Sequence, residues 1–420
     1  MRIKPKTLAL VLAGGRVDDL GALTYYRPKS ALPFGGFARI IDFSLSNLMG
    51  SGLERVGILS QYRSYSLINH IGIGAAWDMI GRYRGISILP PFQGSNESRW
   101  YQGTADAVFQ NLDFIRYHAP ENVLIIAGDH IYNMDYQEMI EYHREKDADL
   151  TIAFLKVPLA AAATRFGVAE IAAEAGGSGG RVLSYEEKPA SPKAQWASLT
   201  IYCFRPQTLY EALATNAHQD ASHEFGKDII PRLLREKRGV HGFKFRGYWG
   251  YTGTIAEYWQ TNMDLLGDKP KIPLREWGLR TNLDHRRIRD CPPWKTGAAA
   301  VITNSLIYNG CTVEGAVENS ILFPRVEVGR GAIVRDSIVF FNNKIAADCR
   351  IDKTISDVNN TFGPGCIVGA EDPPAAKRIS VIGLRNTIPA AAKIGAGAVL
   401  YPGLAPEKLP RLIPAGMVLR

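Results

Sequence analysis

Four short stretches carry groups suited to holding phosphate or a metal ion. Leu8-Ala9-Leu10-Val11-Leu12 reads as a buried strand running into Ala13-Gly14-Gly15-Arg16, where backbone N–H groups with no Cβ in the way can approach a phosphate or a base edge. The same Gly pair can be no more than a tight turn, and no Gly-x-Gly-x-x-Gly follows the strand, so a dinucleotide fingerprint is absent. Downstream, Pro28 holds the backbone before Lys29, whose ammonium suits a polyphosphate. Asp129 follows the apolar run Val123 to Ala127, at the carboxyl edge where parallel sheets present ligand-binding groups. Its carboxylate can hold Mg²⁺, and a helix-capping aspartate before a turn would read the same way. Lys188, pinned between the strand-like Val182 to Glu186 and Pro189, is either an ammonium presented in a fixed direction or a solvated surface lysine.

Two kinds of periodicity position these groups. Up to about Leu266, short apolar runs (Leu8 to Leu12, Val56 to Leu59, Val123 to Ala127, Leu150 to Leu155, Leu199 to Phe204) alternate with helical candidates (Asp42 to Met49, Ser64 to Ile71, Tyr136 to Lys146, Lys227 to Arg235). That alternation predicts an α/β domain of Rossmann-like type with a mostly parallel sheet over 1–268. A connector rich in Pro, Arg and Trp, 269–298, suits a linker packed across both domains rather than a further helix pair. Over 299–420, aliphatic residues recur every sixth position: Ile307 and Val313; Leu322, Val328 and Val334; Val339, Ile345 and Ile351; Ile382, Ile388, Ile394 and Leu400. Steps of six in groups of three predict a triangular parallel β-helix, one inward aliphatic per face, with corners such as Gly329, Asn342 and Gly395.

The 420 residues, 46% of them hydrophobic, are too many for one ordinary core and too apolar for disorder. The run Leu8 to Ala13 is too short for a signal segment or a membrane span, so a cytoplasmic protein is expected, with no membrane partner. Five scattered cysteines with no Cys-x-x-Cys suggest reduced thiols, neither a disulfide framework nor a zinc site. The net charge of +8 is spread along the chain, densest from His285 to Lys295. Anionic phosphometabolites account for it, and no aromatic-basic platform or recognition helix points to nucleic acid.

Read together, Gly14-Gly15-Arg16, Arg27-Pro28-Lys29, Pro33-Phe34-Gly35-Gly36 and Arg39-Ile40-Ile41-Asp42-Phe43-Ser44-Leu45-Ser46-Asn47 resemble the nucleotide loop of sugar-phosphate nucleotidyltransferases. The likeness points to the glucose-1-phosphate adenylyltransferase family and continues through Trp100-Tyr101-Gln102-Gly103-Thr104-Ala105-Asp106-Ala107, Ala127-Gly128-Asp129-His130-Ile131-Tyr132, Glu187-Lys188-Pro189 and Phe225-Gly226-Lys227-Asp228. The resemblance covers nearly the whole chain and implies a left-handed β-helix behind the first domain. It implies substrates ATP and glucose 1-phosphate, with Mg²⁺ bridging the phosphates at Asp129. Arg16, Lys29 and Asp129 would then carry catalysis. Leu12, Ala13, Gly14, Gly15, Gln93, Gly103, Thr104 and Asp106 would hold the nucleotide, and Tyr101, Gly167, Glu187, Lys188 and Ser198 the sugar phosphate. A homo- or hetero-tetramer is also implied.

Departures from the family pattern fall mostly at the triphosphate end. The family loop reads Gly-Gly-Arg-Gly-Ser/Thr-Arg-Leu, whereas this chain has Val17 for a Gly and Asp19 for the Arg that would neutralise the triphosphate. An anion in place of a cation beside ATP costs on the order of 4 kcal/mol for a partly buried pair at roughly 4 Å. Tyr251 takes the place of the second metal-binding aspartate, and a neutral phenol is a poor Mg²⁺ ligand. Thr200 stands for a Gly, Glu224 for an Asp, and Phe37 for a basic residue that binds effector phosphate in bacterial relatives, which speaks against a sugar-bisphosphate response although Arg39 remains. Two readings follow: an active adenylyltransferase with compensated changes, or an impaired paralogue acting as a regulatory subunit beside an active partner. A third, acyl transfer by the repeats, is disfavoured because all eight histidines, from His70 to His285, precede them and leave no imidazole base.

Overall fold

The computed structural model describes the chain apart from residues 1–5, 16–17, 92–99, 175, 285–287, 370–377, 406 and 408. Arg16, Val17, Gln93 and His285 therefore lie outside the described residues. By contacts the chain forms two compact units, each discontinuous in sequence: 1–15, 43–64 and 71–248 in the first, and 16–42, 65–70 and 249–420 in the second.

The first unit is built on a nine-stranded sheet. Its strands are β1 (Thr7–Leu12), β2 (Arg55–Leu59), β3 (Gly85–Leu89), β4 (Asn122–Ala127), β5 (Leu150–Lys156), β6 (Gly167–Ile171), β7 (Gly179–Glu187), β8 (Trp196–Phe204) and β9 (Val240–Phe245). They lie in the order β3-β2-β1-β4-β8-β5-β9-β7-β6, with β8 also pairing β6. β3, β2, β1 and β4 run parallel, β5 and β9 run parallel, and β7 and β8 run against their neighbours. Leu8, Ala9, Leu10 and Val11 are all fully buried, as a central parallel strand covered on both faces requires. That double burial explains why the strand reads as a continuous apolar run rather than an alternating one.

Helices form where the apolar spacing is three or four. In Tyr136–Glu145, buried Tyr136, Met139, Ile140 and His143 share one face, and the Asp135 side chain caps the first turn by accepting from Gln137 N–H (2.9 Å). The expected helix over Lys227 to Arg235 is shorter in fact. A π-turn spans Phe225–Ile229 and the α-helix is Ile230–Arg235, because Pro231 lacks the N–H that would continue the earlier turn's hydrogen bonding.

In the second unit the hexad residues stack into three columns. Val313, Val328, Ile345, Phe362 and Ile388 face one another along one sheet, and Val317, Val334, Ile351, Val368, Ile394 and Ile413 along the next. The third column holds Ile307, Leu322, Val339, Ser356, Ile382 and Leu400. All three sheets are parallel, as the stacked coils of a left-handed β-helix require. Each buried aliphatic contributes about 2 kcal/mol. Ser356 interrupts its column and is satisfied by a polar ladder, donating to Asn343 Oδ1 (2.6 Å) and accepting from Asn360 Nδ2 (3.0 Å). Asn342 turns a corner with φ of +57°.

The loop 16–42 belongs to this second unit. Gly35 N–H donates to Asn262 Oδ1 (3.0 Å), Tyr258 donates its hydroxyl to the Pro33 carbonyl, and Tyr25 meets Tyr401 edge to face at 5.6 Å. Helix Ile255–Met263, which supplies Tyr258 and Asn262, starts with a capping box between Thr254 and Glu257.

Candidate active site

In the first unit the phosphate-binding candidates lie where the strand order reverses. β1 is flanked by β2 and β4, and the chain leaves the carboxyl ends of β1 and β4 side by side, the usual ligand crevice of an open α/β sheet. After β1, Ala13 N–H donates to the Leu59 carbonyl, while Gly128 N–H donates to the Leu12 carbonyl, both at 2.9 Å. A Cβ on Gly14 would fall 2.9 Å from Gln61 N, so only glycine fits, whereas Gly15 faces open space.

Asp129 follows β4 with its side chain 30% exposed and Oδ1 3.6 Å from His130 Nε2. No group of three or more His, Cys, Asp or Glu gathers as a metal cluster among the described residues. A single partly exposed carboxylate nonetheless fits Mg²⁺, which keeps several waters and commonly takes one or two carboxylates plus substrate phosphates.

The nucleoside candidates are bound into the backbone around them. A Cβ on Gly103 would sit 2.3 Å from the His223 carbonyl oxygen, which accepts from Ala105 N–H (2.8 Å). The Thr104 hydroxyl donates to Glu224 Oε2 (2.5 Å) and accepts from Phe225 N–H (3.2 Å), so Glu224 reaches directly to a nucleotide candidate. Buried Asp106 accepts from Gln102 N–H (2.9 Å) and Gln110 Nε2 (2.8 Å), which gives it a local capping role. Tyr101 turns its hydroxyl inward to the Leu89 carbonyl (3.0 Å), and its N–H donates to Gln61 Oε1 (2.5 Å). Burial raises the Tyr101 phenol pKa.

At the sugar-phosphate end, β6 and β7 place Gly167 opposite Glu187. Tyr185 donates its hydroxyl to Glu187 Oε2 (2.7 Å). A Cβ on Gly167 would fall 1.8 Å from that hydroxyl, and one on Gly226 would fall 2.1 Å from Glu187 Oε2. Two bare backbones thus make room for one phenol and one carboxylate. Burial, then Tyr202 and Glu187, push the Tyr185 phenol well above its ordinary pKa, so it stays a donor. The buried Ser198 hydroxyl lies beside both tyrosines and accepts from Thr200 N–H (3.4 Å). Thr200 itself sits at φ +55° where β8 bulges against β5. Exposed Lys188 also has positive φ, +50°, and its N–H donates to the Phe166 carbonyl (3.2 Å).

Lys29 belongs to the second unit, in the turn Lys29–Ala31 behind Pro28. It is only 3% exposed, with Nζ 4.8 Å from the centroid of the Tyr251 ring. Arg27, two residues earlier, forms a partly buried ion pair with Asp357. Asp19 is exposed in the segment Asp18–Thr24.

The first unit therefore holds Leu12, Ala13, Gly14, Gly15, Tyr101, Gly103, Thr104, Asp106, Asp129, Gly167, Glu187, Lys188 and Ser198, and the second holds Lys29. Sequence reasoning missed Gln61 and Tyr185. Tyr185 had a legible signal, since positions two apart on a strand share a face with Glu187. Gln61 had none.

A family model described as nucleotidyl transferase matches residues 8–267, and one described as GlmU-like, C-terminal hexapeptide, matches 294–385. A protein named glucose-1-phosphate adenylyltransferase from Desulfitobacterium hafniense (strain Y51) is 41% identical over 397 residues, 94% of this chain and 98% of that protein. The chain belongs to the glucose-1-phosphate adenylyltransferase family. Relatives of the same name from Geobacillus stearothermophilus and Clostridium botulinum (strain Eklund 17B / Type B) are 43% and 44% identical, each over 79% of this chain and 84% of the relative. A divalent metal is general to nucleotidyl transferases. No helix among the described residues is long and apolar enough to cross a membrane, and none of the five cysteines is in a disulfide.

Proposed function

We propose that this chain is a glucose-1-phosphate adenylyltransferase, converting ATP and α-D-glucose 1-phosphate to ADP-glucose and pyrophosphate for α-glucan synthesis. The observation that carries the reading is the pairing of Gly14-Gly15 and Asp129 at the carboxyl ends of β1 and β4. A phosphate oxygen of glucose 1-phosphate attacks the α-phosphorus of ATP in line, a new P–O bond forms, and the bond to the β-phosphate breaks to release pyrophosphate. The attacking phosphate is already anionic, so no general base is required. Catalysis is then positioning and charge neutralisation.

Each residue has one task in this scheme. Glu187, braced by Tyr185, accepts from sugar hydroxyls, and Lys188 binds the sugar phosphate. Gly14 and Gly15 let backbone N–H groups reach the nucleotide phosphates, with Gly103, Thr104 and Asp106 shaping the nucleoside pocket. Lys29 and Arg16 bear on the triphosphate. Asp129 would hold Mg²⁺, which when bound would supply neutralisation of the charge developing on the phosphates. Assembly as a tetramer, a cytoplasmic location and the linear division 1–268, 269–298 and 299–420 complete the proposal, the last supported by family matches at 8–267 and 294–385.

The test is pyrophosphate release by the purified chain with ATP, glucose 1-phosphate and Mg²⁺, against Asp129→Ala. Release that the variant loses is expected. A chain that binds glucose 1-phosphate yet releases no pyrophosphate would overturn the catalytic reading and revive the regulatory-subunit one.

A further inference from the structure

The two oxygens of the Glu187 carboxylate stand in different surroundings. Oε2 accepts from the Tyr185 hydroxyl (2.7 Å) and is walled by main chain on two sides, since a Cβ on Gly167 would fall 2.6 Å from it and one on Gly226 would overlap it. No hydrogen bond to Oε1 forms among the described residues, and Glu187 is half-buried. The backbone carrying it is tied in place. Glu187 lies opposite Gly167 in the β6–β7 ladder, Lys188 N–H donates to the Phe166 carbonyl (3.2 Å), and Thr164 N–H donates to the Pro189 carbonyl (2.9 Å).

The donor behind Oε2 also has a fixed direction. An ionised carboxylate can only accept, so the Tyr185 proton points to Glu187 and the Tyr185 oxygen is left to accept from the buried Ser198 hydroxyl. Ser198 has one proton to give, so its bond to Tyr202 is one that it accepts. The chain from Tyr202 through Ser198 and Tyr185 thus runs one way and ends on Glu187, an order in which each bond polarises the next. A carboxylate held only by its stem could meet a sugar hydroxyl with either oxygen; held through Oε2, it offers Oε1 alone. We propose that Tyr185 is a positioning residue that sets sugar selectivity, by committing Glu187 Oε2 and leaving Oε1 to accept from a single ring hydroxyl. The inference rests on the reading of Glu187 as a sugar ligand. It adds that an epimer whose inverted hydroxyl misses Oε1 leaves a charged acceptor unpaired, the kind of loss by which a site rejects a near-identical ligand.

Titration calorimetry on the full chain tests it, with Mg²⁺ and a non-transferring ATP analogue present and glucose 1-phosphate, mannose 1-phosphate and galactose 1-phosphate as probes. Pyrophosphate release, KM for ATP and the unfolding midpoint are measured beside it. Tyr185→Phe, which keeps the ring, is expected to bind glucose 1-phosphate about tenfold more weakly, the scale of one hydrogen bond to a charged group, with KM for ATP unchanged. Its preference for glucose 1-phosphate over at least one of the two epimers should fall by about threefold or more, because the released carboxylate can turn to meet the inverted hydroxyl. With Glu187→Ala already in place, Tyr185→Phe should add nothing. The proposal is overturned if Tyr185→Phe binds glucose 1-phosphate as the wild type does, if both epimers weaken in step with glucose 1-phosphate, or if the loss persists without Glu187. Turnover with a flat Tyr185 series removes this inference alone. A series as expected without pyrophosphate release removes the catalytic reading alone, and a wild type that binds none of the three sugar phosphates removes both.

Discussion

Glu187 and Lys29 are held by opposite means. The Glu187 carboxylate is fixed by a hydrogen bond from Tyr185 and by the missing side chains of Gly167 and Gly226, all within one unit. The Lys29 ammonium rests on an aromatic face, and the loop carrying it is tied to the β-helix by the Arg27–Asp357 pair. The first arrangement leaves no room for change, since an added methyl collides with the Tyr185 hydroxyl or the Glu187 carboxylate. The second is tolerant, because a ring is a broad target and an ion pair is indifferent to which loop residues lie between. Departures from the family pattern at Asp19 and Tyr251 accordingly sit in the segments of the tolerant arrangement.

The comparison can be broken in several ways. Asp129→Ala should cost about a thousandfold in turnover, or ~4 kcal/mol, with the unfolding midpoint unchanged. Asp357→Asn leaves Arg27, 11% exposed, without its anion and should destabilise the protein by about 3 kcal/mol in denaturant unfolding, while KM for glucose 1-phosphate stays put. A change in sugar affinity there would show that the two ends are not separable.

A pH series sharpens it from outside both ends. His143 accepts or donates at Thr151 Oγ1 (2.9 Å), and burial first, then Arg205, His241 and Arg144, lower its pKa to about 4 from an ordinary 6.5. The unfolded chain takes up that proton more readily, so the stability is fully present above pH 6.5 and declines as pH falls towards 4, by about 3 kcal/mol. His143→Gln should flatten that part of the stability profile.

Gly167→Ala comes next. Its methyl would meet the Tyr185 hydroxyl at 1.8 Å, so a loss of about 2 kcal/mol in stability and a raised KM for glucose 1-phosphate are expected, with KM for ATP unchanged. The smallest effect has the opposite sign. Thr200 holds φ of +55°, a conformation costly for a β-branched residue, and Thr200→Gly should stabilise the chain by about 1 kcal/mol in thermal unfolding. A destabilised Thr200→Gly would mean that the Thr200 side chain contributes more than its backbone costs.

Legibility differed between residues for physical reasons. Val328, Val334 and Ile345 announced the β-helix because each coil repeats its inward positions at a fixed step. The coil through Ser356 was silent, since a polar residue at an inward position is tolerated only by Asn343 and Asn360, whose contacts no local pattern encodes. The position of Asp129 just past a strand was legible from the apolar run before it. Gln61 was not, because its bond to Tyr101 spans forty residues of chain and depends on how β2 and β3 are laid beside β1.

By itself the sequence determined the two architectures, through short continuous apolar runs, helical spacing of three to four and a period of six that only certain backbones can bury, and the residue types available for phosphate and metal. Tertiary structure alone decided that Tyr185 braces Glu187, that Glu224 bonds to Thr104, and that Lys29 lies over Tyr251 in the same unit as the β-helix. Hydrogen bonds and ring contacts act over about 3 to 6 Å in space whatever their separation along the chain, and local spacing carries no record of which distant residues folding will bring within that reach.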